Sequence, residues 1–553
     1  MTAKIQNNKE PTGGINYYWY CVIGIIILMS CIGAREIDRP FYGLHSWGEA
    51  TGTWAARTHV KYGLAYTKGM TTWAVGYPPK ENPKRYLDHP QLGSLLAWLF
   101  GSILGVHEWT FRFVTLIVSI GALAVFMLML KGLMEPLPAL LAGLLCAIFP
   151  LTGYFSFGGW TVLFGLAAIY YYLVIIKALT NGPEPTKFHK IGLALSLFLG
   201  LQIAWTGFFY ALAIGVHYVF RCLKRKQFPS IPLLAIMAFS PGISMLITFT
   251  IMFMGYGGIS KIIELYKWRA AKGEMQQMVG FDWSLWFAKL WEFSNTNYTL
   301  PILIIAILYI TIGQLFVFTD KPDHSTGRRA RQFPQFWIFF MVPFSALFIL
   351  RGCLWRHQTW LLPMTPLVAI AASLGVFMVW DLIKKNNFKI AMVTVLAILS
   401  ICVFDCIAGT NYYYAIRWQP EAKINMFKML NSRIPPDKYL LSFDAFIVDQ
   451  HESKGAFYRP EIAWYLDREI VQAEKLEEIT AAAKTGKYPF YLLPLSVGDP
   501  QADAYLSNLS KQLGQLYKYE YIPGVAGEAD SEGRFLKAGM PNYILYDLEK
   551  PLK

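Results

Sequence analysis

The chain has 553 residues, of which 55% are hydrophobic and only 16% are charged. A soluble domain carries roughly a quarter charged residues, so this composition excludes an ordinary soluble protein and indicates a membrane protein. The net charge of +14 could indicate nucleic-acid binding, but much of it falls in short clusters between apolar segments, which is typical of topology signals. We therefore expect the lipid bilayer as a partner and no nucleic acid.

Eleven apolar segments are predicted to span the membrane. The first is interpreted as a retained span, because Ala34 is followed by Arg35 and Glu36 rather than by a small-residue cleavage site. A twelfth apolar stretch, 92–106, is short and is predicted to be a helix at the membrane surface. The predicted spans are 17–34, 109–130, 137–153, 160–178, 189–204, 208–220, 231–253, 299–318, 335–350, 358–380 and 390–409.

The Lys and Arg residues of the short loops predict the orientation of the chain. Most of them lie on one side, whereas the opposite short loops contain only Arg351 and Arg356. The N-terminus is therefore predicted to be cytoplasmic, in the inner (plasma) membrane. The odd number of spans places the segments 35–108, 254–298 and 410–553 outside, which is the periplasm in a Gram-negative cell.

The tail, 410–553, differs from the rest of the chain. It contains short apolar runs suited to strands at 438–446, 488–497 and 542–549, with a helical pattern at 474–486. None of the seven cysteines lies in it, so it has no disulfide framework. We predict a transmembrane domain, 1–409, followed by a small extracytoplasmic α/β domain.

The first outer segment contains HSWGEATGTWAAR (45–57). Ser46 and Glu49 have the spacing of a capping box at the start of a helix, which is the more common use of such a pattern. Glu49 and Arg57 fall on one helix face, where a surface ion-pair ladder is an alternative to a functional site.

Together with YLDHPQLGSLLAWLFGSILGVHEWTFRFVTL (86–116), this segment resembles the polyprenyl-phosphate-sugar glycosyltransferases of the GT-C fold. That family includes the protein O-mannosyltransferases and the lipid A aminoarabinose transferases. Its members have a carboxylate pair followed by Ala-Arg, then a basic-Pro-Pro-Leu box, then Gly-x-x-Glu-x-x-x-Arg. The matching residues here are Glu49, Arg57, His89, Pro90, Gln91, Leu92, Gly105, Glu108 and Arg112, and WRHQTWLLPMTP (355–366) resembles the outer end of a late span.

Two departures from the family pattern concern the acid. The first carboxylate of the pair is Gly48 here, and the loop 151–160 contains no acid, where some family members carry a second carboxylate. A single acid, Glu49, therefore remains at the motif.

The resemblance implies a mainly α, polytopic membrane protein of GT-C type. It implies transfer of a sugar from a polyprenyl-phosphate donor to an acceptor hydroxyl on a protein, lipid or glycan, with inversion. Glu49 would be the general base, with Asp38 and Asp88 as rivals and with a pKa raised in a partly dry pocket. Cations would stabilise the lipid-phosphate leaving group. The candidate phosphate ligands are Arg57, Lys80, Lys84, Arg85, His89, Arg351, Arg356 and His357.

Structural alternatives exist for these residues. Lys80, Lys84 and Arg85 could contact anionic lipid headgroups, and His89 could belong to a structural turn. The cations near the late span could be interfacial anchors, and Asp38 could pair with Arg35 or Arg39.

The outer segment 254–298, with Lys261, Lys267, Arg269 and Lys272, is predicted to form a lid over the donor. No metal signature is present, so no metal and no cofactor are predicted, although a divalent cation, which some GT-C relatives use, stays open. Two other functions remain open: a transporter or flippase of lipid-linked sugars, and an accessory assembly protein whose tail does the work.

Overall fold

The computed structural model describes residues 17–81, 83–87, 89–156, 159–181, 185–256, 258–272, 281–313, 336–444, 447–448, 457–530 and 535–552. Helices dominate it before residue 416. The α-helices of this part are Tyr17–Ala34, Ser46–Thr67, Leu92–Leu104, Glu108–Leu133, Pro136–Ile148, Pro150–Phe155, Gly159–Asn181, Lys187–Ile203, Thr206–Arg225, Ile231–Tyr256, Ile259–Arg269, Trp283–Tyr298, Leu300–Leu308, Phe336–Ile349, Arg351–Arg356, Thr365–Lys384 and Phe388–Ala415. A π-helix, Tyr309–Gly313, and a 3-10 helix, Gln358–Met364, complete this part.

Within the described residues, seven helical segments are long and apolar enough to cross a membrane. A bent pair, Trp283–Tyr298 and Leu300–Gly313, makes an eighth if its two helices, which meet at an angle of 107°, form one span. The other three predicted spans fall on shorter helices: Pro136–Ile148, Lys187–Ile203 and Phe336–Ile349. The chain is therefore a multi-pass membrane protein. The predicted orientation stays a prediction, and Lys321, Arg328, Arg329 and Arg331, which contribute to it, lie outside the described residues.

The bundle has a continuous apolar core. Its largest fully buried side chains include Phe126, Phe149, Tyr172 and Tyr298. The segment Gln358–Lys384 is mostly buried among other helices. The last helix of the bundle, Phe388–Ala415, is mostly exposed, as expected of a span that faces lipid.

The segment between the first span and Glu108 carries the motif. It contains the helix Ser46–Thr67, called the site helix below, and a two-stranded antiparallel ladder of Thr72–Trp73 with Lys84–Arg85. The helix Leu92–Leu104 follows and contacts the site helix. It buries Ala97 and Gly101 and leaves apolar side chains such as Ile103 exposed, as expected of a helix at a membrane surface.

The C-terminal region, Glu421 onward, is an α/β domain, as predicted. Its five-stranded mixed sheet has the spatial order Ile470–Gln472, Leu440–Ser442, Phe490–Pro494, Tyr543–Pro551, Tyr517–Ile522. The first three are parallel and the last two are antiparallel to their neighbours. Its helices are Glu421–Arg433, Pro460–Leu466, Leu476–Ala483 and Pro500–Leu516, and short ladders pair Ile447–Val448 with Phe457–Tyr458 and Glu528–Ala529 with Phe535–Lys537.

The two faces of this sheet belong to different cores, since successive strand residues point to opposite sides. Along Phe490–Pro494, Tyr491 and Leu493 pack against the helices of the domain itself. Phe490 and Leu492 belong instead to a core that also contains residues of the first outer segment, among them Trp54. The C-terminal domain and the segment that carries the motif are therefore packed together as one unit.

Candidate active site

The site helix is held by an aromatic stack. Trp54 is fully buried, stacks on Trp73 with ring centroids 5.6 Å apart, and donates its indole N–H to the carbonyl of Ala74 at 2.9 Å. Stacked pairs of this kind stabilise by about 0.5–1.5 kcal/mol beyond their area burial. The stack sets the rotation of the helix, so that Glu49 faces the cavity described below.

Glu49 is clamped between two arginines. Its Oε1 lies 3.3 Å from Arg39 Nη2, and its Oε2 accepts hydrogen bonds from Nε and Nη2 of Arg112 at 2.9 and 2.7 Å. Nη1 of Arg112 also donates to the carbonyls of Ile37 and Arg39. These contacts, called the Glu49 clamp below, join the site helix, the helix Glu108–Leu133 and the chain segment that precedes the site helix.

The clamp decides the protonation of Glu49. Burial alone raises the pKa of this carboxyl, but the charges and hydrogen bonds of Arg112 and Arg39 outweigh burial and hold the pKa below its usual value. The expectation of a raised pKa is therefore wrong. Glu49 is an ionised carboxylate with little tendency to take a proton.

The predicted capping box is also wrong. The residue before the site helix, His45, has a left-handed backbone (φ 54°) and makes no side-chain capping bond. Ser46 is inside the helix, and its hydroxyl donates to Oε1 of Glu461 at 3.0 Å. The two side chains of the proposed box, Ser46 and Glu49, therefore have separate partners.

Arg57 contacts the C-terminal domain rather than Glu49. Its guanidinium donates to the carbonyls of Trp464 and Ala463 at 2.6 and 2.9 Å and lies 3.5 Å from the carboxylate of Asp467. Lys61, one turn further along the site helix, pairs with the same carboxylate at 2.8 Å. An ion-pair ladder with Glu49 is not formed, and Arg57 is not among the residues that line the cavity.

A second basic group lines the cavity described below. Nη2 of Arg269, at the end of the helix Ile259–Arg269, lies 3.3 Å from Nε2 of His89, and Arg269 is buried. Gln91, two residues further along the predicted box, accepts from the Thr71 N–H and donates to the carbonyl of His89. The box therefore fixes the loop that presents His89.

An aromatic group joins three parts of the chain at the cavity. The rings of His45 and His357 have centroids 5.5 Å apart, and His45 lies 4.7 Å from Trp418. Burial, with a further contribution from His357, lowers the pKa of His45 to about 3. His45 is therefore neutral at physiological pH. His357, predicted from the late segment, lines the cavity, and so does Cys353, which was not predicted.

Three other predicted phosphate ligands do not line the cavity as the structure describes it. Lys80 is largely exposed and pairs with Glu469 at 2.8 Å. Arg85 belongs to the short antiparallel ladder. Arg351 donates to the carbonyl of Ala271 at 3.0 Å.

The remaining candidates divide into two groups. Asp38 is exposed and is not a lining residue. Asp88 lies outside the described residues, as do the side chains of Lys84 and Arg356. For Asp88, Lys84 and Arg356 the sequence predictions stay predictions.

The cavity, called the site cavity below, has a volume of about 790 Å³. Apolar residues such as Phe111, Ile203 and Leu362 form part of its lining. The described charged residues that line it have an excess of arginine over glutamate, which attracts an anionic ligand. They are Arg35, Arg39, Arg112, Arg269, Arg459, Glu36, Glu49 and Glu461.

Sequence reasoning missed the contribution of the C-terminal domain. Arg459 and Glu461 come about 400 residues after the motif, and no local pattern marks them. Arg39 was considered only as a partner of Asp38, although it pairs with Glu49. Among the described residues, no group of three or more His, Cys, Asp or Glu side chains is arranged to hold a metal ion.

The sequence matches no protein-family model and no curated protein. The structure, however, matches solved structures over most of its length. An archaeal oligosaccharyltransferase, AglB from Archaeoglobus fulgidus, in complex with an inhibitory peptide and a dolichol-phosphate, is 11% identical with a TM-score of 0.55, and the match covers 95% of this chain and 75% of that chain.

A second match is ArnT from Cupriavidus metallidurans bound to undecaprenyl phosphate. It is 10% identical with a TM-score of 0.54, and the match covers 97% of this chain and 98% of that chain. Both have the GT-C fold, so the fold predicted from the motifs is confirmed. At this level of identity the likeness concerns the fold.

Proposed function

We propose that this chain transfers a sugar from a polyprenyl-phosphate donor to an acceptor hydroxyl on a protein, lipid or glycan, at the outer face of the membrane. The observation that carries the proposal is the site cavity, which both the Glu49 clamp and the Arg269–His89 pair line within a GT-C fold. The two solved structures that support it are those in which a dolichol-phosphate or undecaprenyl phosphate is bound.

The donor phosphate binds beside Arg269 and His89 in this proposal. Charge on the phosphate increases as the bond to the sugar breaks, and preorganised cations stabilise that charge where water is excluded. Charge-assisted hydrogen bonds from a guanidinium are about twice as strong as neutral ones. The apolar part of the lining, which includes Ile203 and Leu362, offers a surface for the first isoprene units of the donor.

The Glu49 clamp has a positioning role in this proposal. Glu49 holds the guanidinium groups of Arg39 and Arg112 at the cavity wall, close enough to add to its positive potential. The lowered pKa of Glu49 speaks against the predicted role of general base, because a base must take a proton. We carry over inversion at the anomeric carbon from the family resemblance, as part of the proposal.

Donor turnover tests this function. The purified chain is incubated in detergent with radiolabelled polyprenyl-phosphate sugars and a crude envelope extract as acceptor, and free polyprenyl phosphate is measured. The wild type should release polyprenyl phosphate, and Arg269→Gln should release it at least about tenfold more slowly because the leaving group loses a buried cation. Lys267→Gln is the matched control, since Lys267 lies on the same helix but is exposed.

Two results would contradict the proposal. Binding of every donor without turnover by the wild type would favour a transporter of lipid-linked sugars. Equal turnover by Arg269→Gln and Lys267→Gln would remove Arg269 from the donor site.

A further inference from the structure

A carboxylate of the C-terminal domain lines the site cavity. Glu461, in the helix Pro460–Leu466, has only 3% of its surface exposed. Its Oε1 accepts the hydrogen bond from Ser46, but its buried Oε2 has no hydrogen-bond partner among the residues that the structure describes. Buried carboxylate oxygens are normally hydrogen-bonded, because an unsatisfied one loses the hydrogen bonds that water would give it. An unsatisfied oxygen at a cavity wall indicates a partner supplied by a ligand.

The environment of Glu461 is opposite to that of Glu49. Both oxygens of Glu49 are bound by guanidinium groups, whereas Glu461 has one oxygen available and a hydroxyl as its only side-chain hydrogen-bond donor in the described residues. Burial raises the pKa of Glu461, although the hydrogen bond from Ser46 and the charges of Arg459 and Lys423 act against the rise. A carboxylate with a raised pKa is a stronger base.

Glu461 lies close to the clamp. Ser46 is the hydrogen-bond partner of Glu461 and precedes Glu49 by three residues in the site helix. The Cβ atoms of Ser46 and Glu49 are therefore about 5–6 Å apart. Glu461, the first-turn residue Glu49 and the arginines of the clamp therefore line one cavity.

We propose that Glu461 is the general base of the transfer and that the acceptor hydroxyl binds at its Oε2, between the C-terminal domain and the site helix. The inference rests on the proposed function and deepens it. The acceptor oxygen forms a bond to the anomeric carbon while the bond from that carbon to the phosphate oxygen breaks. The acceptor proton moves to Oε2 of Glu461, and the electron pair of the broken bond leaves with the polyprenyl phosphate.

The test compares Glu461→Gln and Glu461→Asp with the wild type, using radiolabelled undecaprenyl-phosphate sugars and the envelope extract. Glu461→Gln keeps the shape and can still accept from Ser46, so it should bind undecaprenyl phosphate as the wild type does while its maximal turnover falls about 100-fold or more. Glu461→Asp should retain part of the turnover. Glu477→Gln, on an exposed position of the same domain, is the matched control.

The pH profile separates catalysis from a structural role. Wild-type turnover should fall on the acid side with an apparent pKa above 4.5, the ordinary value for Glu. The decisive result is loss of this acid limb in Glu461→Gln. A fold defect would lower the unfolding temperature and donor binding but would leave the limb in place, which would overturn the assignment.

The outcomes distinguish the two proposals. Wild-type turnover with unchanged turnover in Glu461→Gln would overturn the inference and leave the proposed function standing. No turnover by the wild type with any donor would overturn the proposed function, and with it the inference. If Glu461→Gln does not fold, a wild-type profile without an acid limb, or full activity of Glu461→Asp with an unchanged limb, still counts against Glu461.

Discussion

Oε2 of Glu49 accepts two hydrogen bonds from Arg112, which lies 63 residues further along the chain. The pair connects the site helix to the helix Glu108–Leu133, and both side chains are largely shielded from water, with 16% and 9% of their surface exposed. Removing one partner of such a pair is costly because the other charge stays buried. The stability of the first outer segment should therefore depend on this pair.

Glu49→Gln is expected to destabilise the protein by about 3 kcal/mol, since two guanidinium groups lose their counter-ion. Denaturant or thermal unfolding in detergent measures the change. The double variant Glu49→Gln/Arg112→Gln should be less destabilised than the sum of the single variants. Glu292→Gln is the control, because the Lys289–Glu292 pair is exposed and surface pairs contribute about 0–1 kcal/mol. Equal effects of Glu49→Gln and Glu292→Gln would contradict a buried clamp.

Two glycines of the site helix should respond differently to alanine. A Cβ at Gly52 would lie 2.5 Å from ring carbons of Phe111, the neighbour of Arg112, whereas a Cβ at Gly48 meets nothing within 4 Å. Gly48→Ala should be neutral or stabilising by up to about 1 kcal/mol, since alanine favours helix. Gly52→Ala should lower both the unfolding temperature and donor turnover by displacing Phe111 and with it the clamp. The prediction fails if Gly52→Ala unfolds no earlier than Gly48→Ala.

The partly buried His45 predicts that the free energy of unfolding depends on pH. Its folded pKa is about 3, below the ordinary 6.5, so the unfolded chain binds a proton that the folded chain does not between these values. Stability is therefore lost as the pH falls below 6.5, by up to about 1.4 kcal/mol for each pH unit from this group. His45→Asn tolerates the left-handed backbone and removes the effect. Relative to the wild type, it should gain unfolding temperature on going from pH 7.5 to pH 5, and an unchanged difference would exclude the effect.

Arg57 is expected to hold the C-terminal domain against the site helix. Arg57→Ala leaves the carbonyls of Ala463 and Trp464 without their donor, at about 1–3 kcal/mol for each buried group. Limited proteolysis should detect faster cleavage between the bundle and the domain, and donor turnover should fall on the order of tenfold or more because the cavity wall shifts. Lys511→Ala, an exposed site on the same domain, is the control. Proteolysis at the control rate would show that other contacts hold the domain.

The contact between Arg269 and His89 predicts coupling in the donor site. Because Nη2 of Arg269 lies 3.3 Å from Nε2 of His89, the two substitutions Arg269→Gln and His89→Gln should not be additive. A double-mutant cycle on donor KM and maximal turnover measures the coupling, which is about 0.5–3 kcal/mol for residues in contact. Additive effects within about 0.5 kcal/mol would show that the two side chains act on different parts of the donor.

The helical architecture could be predicted from the sequence because each span is a local property. A run of about 20 apolar residues is long enough to cross the hydrocarbon core of a bilayer, wherever it occurs in the chain. The strands of the tail were predictable for a similar reason, since Phe490–Pro494 and Tyr543–Pro551 are short apolar runs between polar segments. It was harder to predict the lengths of three short helices, because hydropathy does not report the length of a helix that is buried among others. These helices are Pro136–Ile148, Lys187–Ile203 and Phe336–Ile349.

The partners of charged side chains could not be predicted in the same way. Glu49, Arg57 and His89 were identified from motifs, but the motifs do not say that Arg57 binds main-chain carbonyls 406 and 407 residues away. The pKa of Glu49 was predicted in the wrong direction because burial was visible in the pattern and Arg39 was not considered as its partner. Such partners depend on tertiary packing.

The hydrogen bond between Ser46 and Glu461 joins residues that are 415 positions apart in the sequence, so the two residues are synthesised at different times. A ribosome adds roughly 5–20 residues per second, so about 20–80 s pass between synthesis of the site helix and synthesis of the wall that faces it. During that interval the nascent chain can already be inserted in the bilayer with half of its cavity missing. If the site works as proposed, an unfinished chain cannot consume donor lipid, and the reaction begins only after translation is nearly complete.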